Sequence, residues 1–94
     1  MPIAIKDSHS KLTAIIEPSD SVYIASCPEL DLVTEGDTTN EALSDLIEMT
    51  IDYAEQYMEE FDQFSKSPNR ASHKDYILEI HQKKAKEKVR ELFI

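Results

Sequence analysis

Cysteine occurs once, as Cys27, and a single thiol excludes both an intrachain disulfide framework and a zinc site built on cysteines. Its place at a strand end before Pro28 reads as a small buried hydrophobe rather than a nucleophile, with no histidine partner nearby in the chain. The three histidines, His9, His73 and His81, lack the paired carboxylate or cysteine spacing of a metal centre, even though His73 and His81 would approach each other on an unbroken helix. Neither a metal nor a cofactor is expected. No apolar run has the length needed to span a bilayer, and no basic segment followed by an apolar signal region opens the chain, so the protein reads as soluble and cytoplasmic. Basic residues are scarce over most of the sequence. Residues 1–65 carry two basic and fifteen acidic side chains, a balance of −13, whereas residues 66–94 carry eight basic and four acidic, a balance of +4. The total of −9 argues against nonspecific nucleic-acid binding through the body, because neutralising phosphate takes clustered lysine and arginine.

Ninety-four residues form one domain with a modest core, a size at which association between copies often supplies missing burial. Three short runs alternate with period two: Leu12, Ala14 and Ile16 against Thr13 and Ile15; Val22 and Ile24 against Tyr23 and Ala25; Leu32 and Thr34 against Val33 and Glu35. Each predicts a strand. Glu17 to Ser21, with the fixed φ of Pro18 and short oxygen-bearing side chains, predicts a turn that makes the first two strands a hairpin.

Thr38 then predicts a helix start, since its hydroxyl can accept from a first-turn N–H while Glu41, three residues on, returns a bond. Leu43, Ile47, Thr50, Ala54, Tyr57, Met58 and Phe61 fall on one side of that helix, flanked by Leu46 and Ile51, and this face covers the sheet. On the opposite side Glu41, Asp45, Glu48, Asp52, Glu55 and Glu59 form an acidic stripe. Such a stripe is either a solvated face that keeps the protein soluble or a surface complementary to a basic partner. The helix should end near Gln63, before the polar and proline-containing segment from Phe64 to Ala71.

The ordered segments Ile16-Glu17-Pro18, Tyr23-Ile24-Ala25-Ser26-Cys27-Pro28-Glu29-Leu30, Val33-Thr34-Glu35-Gly36-Asp37-Thr38 and Glu41-Ala42-Leu43 resemble the HicB-like antitoxin family over about half the chain. The resemblance implies a partial ribonuclease-H-like core and a noncatalytic antitoxin that binds HicA, a small ribonuclease toxin of double-stranded-RNA-binding fold. Many members carry a glycine pair and a Pro-Gly where this chain has Asp20-Ser21 and Asp31-Leu32; glycine reaches positive φ without a Cβ penalty. Many members also append a helix-turn-helix or ribbon-helix-helix segment, and no such pattern follows Phe64.

The expected fold is therefore α+β: a three-stranded antiparallel β-sheet followed by a long amphipathic helix, a β-β-β-α core over residues 1–65, with a basic C-terminal helical extension over 66–94 in the same single domain. In that extension Ser72 resembles a cap, and Tyr76, Ile77 and Ile80 share one helical face, whereas Ala85, Val89, Leu92 and Phe93 lie opposite it. A short helix near 73–81, a bend and a second helix near 83–92 satisfy both sets; the alternative is a fourth strand from Tyr76 to Ile80. The apolar end Leu92-Phe93-Ile94 points to a tail docked on its own core or on a neighbouring copy, hence to a homodimer or higher homo-oligomer. DNA contact through this tail is a lesser alternative, since Glu87 and Glu91 dilute its lysines and no aromatic residues interleave them.

The function that the resemblance implies, and with which the acidic body is compatible, is that of an antitoxin that neutralises a small basic, HicA-like ribonuclease toxin of a type II toxin-antitoxin pair by protein contact. Candidate contacts are Tyr23, Glu29, Asp31 and Asp37 around the sheet and its connections, with Glu48 and Asp52 on the helix. The rival is a stand-alone oligomeric regulator of the same fold. A two-metal nuclease site drawing on Asp20, Glu29, Asp31, Asp37 or Glu48 is a third reading, which needs those carboxylates to converge about ions roughly 4 Å apart.

Overall fold

A computed structural model describes residues 12–83, 89, 90, 92 and 93. Strands β1 (Ile15–Ser19), β2 (Val22–Cys27) and β3 (Leu32–Gly36) form an antiparallel meander with β2 in the centre. Helix α1 (Thr39–Glu59) covers one face, followed by the short α2 (Phe61–Phe64) and by α3 (Lys74–Lys83), which packs on α1. The α+β class and the C-terminal helix follow the sequence reading. The fourth strand considered for Tyr76 to Ile80 does not form; Ile77 and Ile80 are buried from a helix.

The hairpin is tighter and later than expected. Its strand begins at Ile15 rather than Leu12, and Ser19 pairs with Val22, so the turn is only Asp20-Ser21. Pro18 lies inside β1, where an edge strand tolerates a missing N–H. Leu12, although outside the strand, is fully buried beside Phe93, and its N–H donates to the Leu92 carbonyl at 2.8 Å. The apolar C-terminal residues thus dock on their own chain. The second helix expected near 83–92 lies largely outside the described residues, of which Val89 and Arg90 are helical.

Two non-glycine residues adopt positive φ, Asp20 at 54° and Asp31 at 57°. These are positions where the resemblance led one to expect glycine nearby. Aspartate serves because its short side chain reduces the left-handed penalty that most L-residues meet. Asp31 ends a 3-10 turn over Pro28–Leu30 and directs the chain into β3.

Helix α1 starts as its cap predicts. The Thr38 hydroxyl accepts from the Glu41 N–H at 3.1 Å, and Glu41 accepts in return from the Asp37 N–H at 3.2 Å, one residue earlier than in a standard capping box. Its buried face is rotated from the sequence expectation: Ala42, Leu46, Ile47, Thr50, Ala54 and Tyr57 are buried, while Leu43, Ile51, Met58 and Phe61 pack at the margins. The cause is Gly36. A Cβ built there would lie 2.5 Å from the Ala42 nitrogen and 2.9 Å from its Cα, so the first turn of the helix rests on the glycine backbone and Ala42 must face the sheet. Thr50, polar but fully buried on this face, returns its hydroxyl to the Leu46 carbonyl at 2.8 Å.

Gly36→Ala meets only main-chain atoms, which cannot swing aside as a flexible side chain would, and the helix must lift. Overpacking of this kind should lower the unfolding free energy by about 1–3 kcal/mol in urea titration, with the circular-dichroism spectrum retained.

Candidate functional site

From Leu12 to Ser65 the chain has fourteen aspartates and glutamates and no lysine or arginine. The fold spreads these charges over every side of the core. Glu41, Asp45, Glu48, Asp52, Glu55 and Glu59 are all exposed on α1, as the helical spacing predicts. Asp45 also accepts a hydrogen bond from the Thr34 hydroxyl, which ties the helix to β3. Glu17 and Glu35 stand on the outer face of the sheet, and Asp20, Asp31 and Asp37 are exposed at its connections.

The candidate contact residues fall into three pairs rather than one patch. Tyr23 is opposite Gly36 in the register, so it and Asp37 share the end of the sheet where α1 begins. Glu29 and Asp31 lie at the opposite end, around the turn before β3, and Glu48 and Asp52 sit on the outward side of α1. Tyr23 is half-buried against the core. Glu29 is engaged within the chain: its carboxylate accepts from the Thr13 N–H at 2.9 Å, from the Thr13 hydroxyl at 2.7 Å and from the Cys27 thiol at 3.6 Å. Burial pushes the Glu29 carboxyl up, but the Thr13 bonds outweigh it and hold the group below its ordinary value. This clasp anchors the segment before β1 to the turn after β2.

Cys27 is fully buried, and burial together with the Glu29 charge pushes its thiol up to about 11, so it stays protonated at neutral pH. Among the described residues, no three histidine, cysteine, aspartate or glutamate side chains converge as metal ligands would. A cavity of about 130 Å³ between α1 and α3 is lined by Ile51, Ala54, Glu55, Ile80 and His81. It offers one carboxylate and one imidazole.

A polar cluster around His73 escaped the sequence reading. His73 is buried where the chain turns into α3; its Nδ1 lies 2.7 Å from the Tyr53 hydroxyl and its Nε2 lies 3.9 Å from Asp31. With the tyrosine donating, the ring proton is assigned to Nε2, facing the carboxylate. Tyr57, fully buried, donates to the Arg70 carbonyl at 2.9 Å and meets Phe61 and Phe64 edge-on or tilted, while the Arg70 guanidinium lies over the Tyr53 and Phe64 rings. Tyr57 and Phe61 were legible as part of a helix face, but Tyr53 was not placed on it, and nothing local in the sequence joined it to a histidine twenty residues on.

Burial lowers the His73 pKa from its ordinary 6.5; the Asp31 charge opposes this, and the Arg70 charge adds to it. The unfolded chain therefore takes up the proton first as pH falls. The stability His73 provides is complete above 6.5 and is lost as pH drops through 6.5 toward the lower folded value. Urea midpoints measured between about pH 7.5 and pH 5 should fall for the wild type and fall less for His73→Gln, which keeps a neutral polar side chain.

Comparison with known proteins follows the same lines. The chain matches the PHD-like family, described as an antitoxin of toxin-antitoxin, RelE / RelB, systems, over residues 3–94. A crystal structure from Syntrophomonas wolfei subsp. wolfei, described as the antitoxin part of a proposed toxin/antitoxin system, superposes with a TM-score of 0.81 at 30% sequence identity. The match covers 89% of this chain and 61% of that one, so the chain spans about three fifths of its structural neighbour. No curated protein sequence gave a significant match. The antitoxin class suggested by the ordered motifs agrees with both findings, although the family matched is described through RelE and RelB rather than as HicB-like. With a family match across nearly its whole length, the chain belongs to the PHD-like antitoxins of toxin-antitoxin systems.

Proposed function

We propose that this chain neutralises a small basic ribonuclease toxin, of the HicA-like kind, by direct protein contact and without catalysis of its own. The observation that carries the reading is the core from Leu12 to Ser65, fourteen acids without one lysine or arginine, in a chain of an antitoxin family. A ribonuclease surface must be basic to hold phosphate, and a purely acidic body is attracted to it over a Debye length, about 8 Å at physiological salt. Asp31, Asp37, Glu48 and Asp52 are exposed and contribute to that field from different sides. Glu29 and Tyr23 act mainly through the fold, one clasping Thr13 and the other packing on the core. Residues 1–65 are read as the partner-binding core and residues 66–94 as an extension of the same domain, closed onto it through Leu92 and Leu12.

The test is co-expression with the product of the adjacent reading frame. A small basic protein should co-purify in fixed stoichiometry, and growth arrest by that protein alone should be relieved by this chain. Recovery of this chain only with itself would overturn the reading and favour a self-associating regulator. Within the complex, Glu48→Lys with Asp52→Lys should slow association by roughly three- to tenfold with little change in the thermal midpoint, as measured by stopped-flow mixing.

A further inference from the structure

Antiparallel sheets with one face in water usually alternate apolar inward and polar outward. This sheet departs from that rule. Tyr23, Ala25 and Cys27 of β2 and Leu32 and Thr34 of β3 turn toward α1, yet four of the outward positions, Ile15, Val22, Ile24 and Val33, are also branched hydrocarbons. Val33 is 61% exposed and Ile15 40% exposed. Strand preference for β-branched residues explains one or two such positions but not four on one face.

The polar groups beside these positions are of one sign. Ile24 pairs with Glu17 on one side and with Glu35 on the other, so two exposed carboxylates flank it across the strands, their backbones about 10 Å apart at ordinary strand spacing. The next row places Ile15 and Val33 on either side of Ser26. An apolar centre with a charged rim is the anatomy of a protein interface. The acidic stripe of α1 has the charge without that centre.

We propose that this open sheet face is the docking surface for the basic toxin, which presents an apolar ridge bordered by lysine or arginine on both sides. The inference rests on the antitoxin reading and adds the surface on which it operates. A second copy of the chain is the poorer occupant. Twofold packing sets the patch against itself, which brings together two acidic faces with no lysine or arginine between Leu12 and Ser65, in a molecule that also carries −9. A basic ridge pairs both carboxylates while covering Ile15, Ile24 and Val33.

The experiment uses the full chain with the product of the adjacent reading frame. Affinity is measured for the wild type, Val33→Lys, Glu35→Lys and, as a control with the charge change of Glu35→Lys placed elsewhere, Asp62→Lys. Methyl cross-saturation from the bound partner is recorded on the wild-type complex. Val33→Lys and Glu35→Lys should weaken binding by at least about thirtyfold and Asp62→Lys by less than about threefold, with saturation reaching the methyls of Ile15, Ile24 and Val33. If Val33→Lys does not fold, the wild-type saturation pattern decides alone. Binding that survives folded face variants, or saturation confined to methyls of α1, would overturn the docking surface and leave the antitoxin reading in place. Absence of any complex with that product would overturn both.

Discussion

The first turn of α1 lies on the bare backbone of Gly36, close enough that a Cβ there would collide with the main chain of Ala42. This approach sets the rotation of the helix. With Ala42 turned to the sheet, Leu46, Thr50, Ala54 and Tyr57 follow along the buried side, and the six acids of the opposite side are committed to solvent. The helix covers one face of the sheet. Ala25 and Cys27 are sealed beneath the helix, whereas Ile15, Ile24 and Val33 are left on the far side. The Thr38 cap and the Thr34–Asp45 hydrogen bond hold the same end, so the seat is fixed by backbone geometry and by local polar bonds together.

The remainder of the chain is gathered by polar ties that cross the core. Glu29 clasps Thr13, Leu12 bonds the Leu92 carbonyl, and Tyr57 bonds the carbonyl of Arg70. Each satisfies a group in a partly or wholly buried place, where an unmade hydrogen bond costs about 1–3 kcal/mol. His73 belongs to this set as a neutral imidazole held between Tyr53 and Asp31. These contacts close residues of the C-terminal extension onto the core.

Much of this was legible because it is local. Period-two alternation marked three strands, Thr38 and Glu41 marked a helix start, and the spacing of Tyr76, Ile77 and Ile80 allowed a helix while leaving a strand open, a choice that the packing on α1 decides. What was missed depends on contacts between distant residues. The rotation of α1 follows from Gly36 and the burial of His73 from a tyrosine twenty residues earlier, whereas the docking of the tail was expected and only its seat, its own core or a neighbouring copy, was left open. The early start assigned to the first strand was a matter of pairing: Leu12 and Ala14 keep the inward parity of Ile16, but the strand that pairs runs three residues further along, from Ile15 to Ser19 opposite Val22. Of the candidate contact residues, charge alone selected exposed acids well at Asp31, Asp37, Glu48 and Asp52, and it could not tell that Glu29 is occupied by Thr13.

On the proposed function, an antitoxin core without lysine or arginine from Leu12 to Ser65 is drawn to its basic partner by its field before the apolar sheet face makes contact. Such steering acts on the rate of encounter and is screened by salt, whereas apolar contact governs how long the complex lasts. The direct measurement is the association rate with the product of the adjacent reading frame, by stopped-flow mixing from about 20 mM to about 500 mM salt. Electrostatic steering predicts a fall of about ten- to a hundredfold across that range, with the dissociation rate changing much less. An association rate that does not respond to salt would rule steering out.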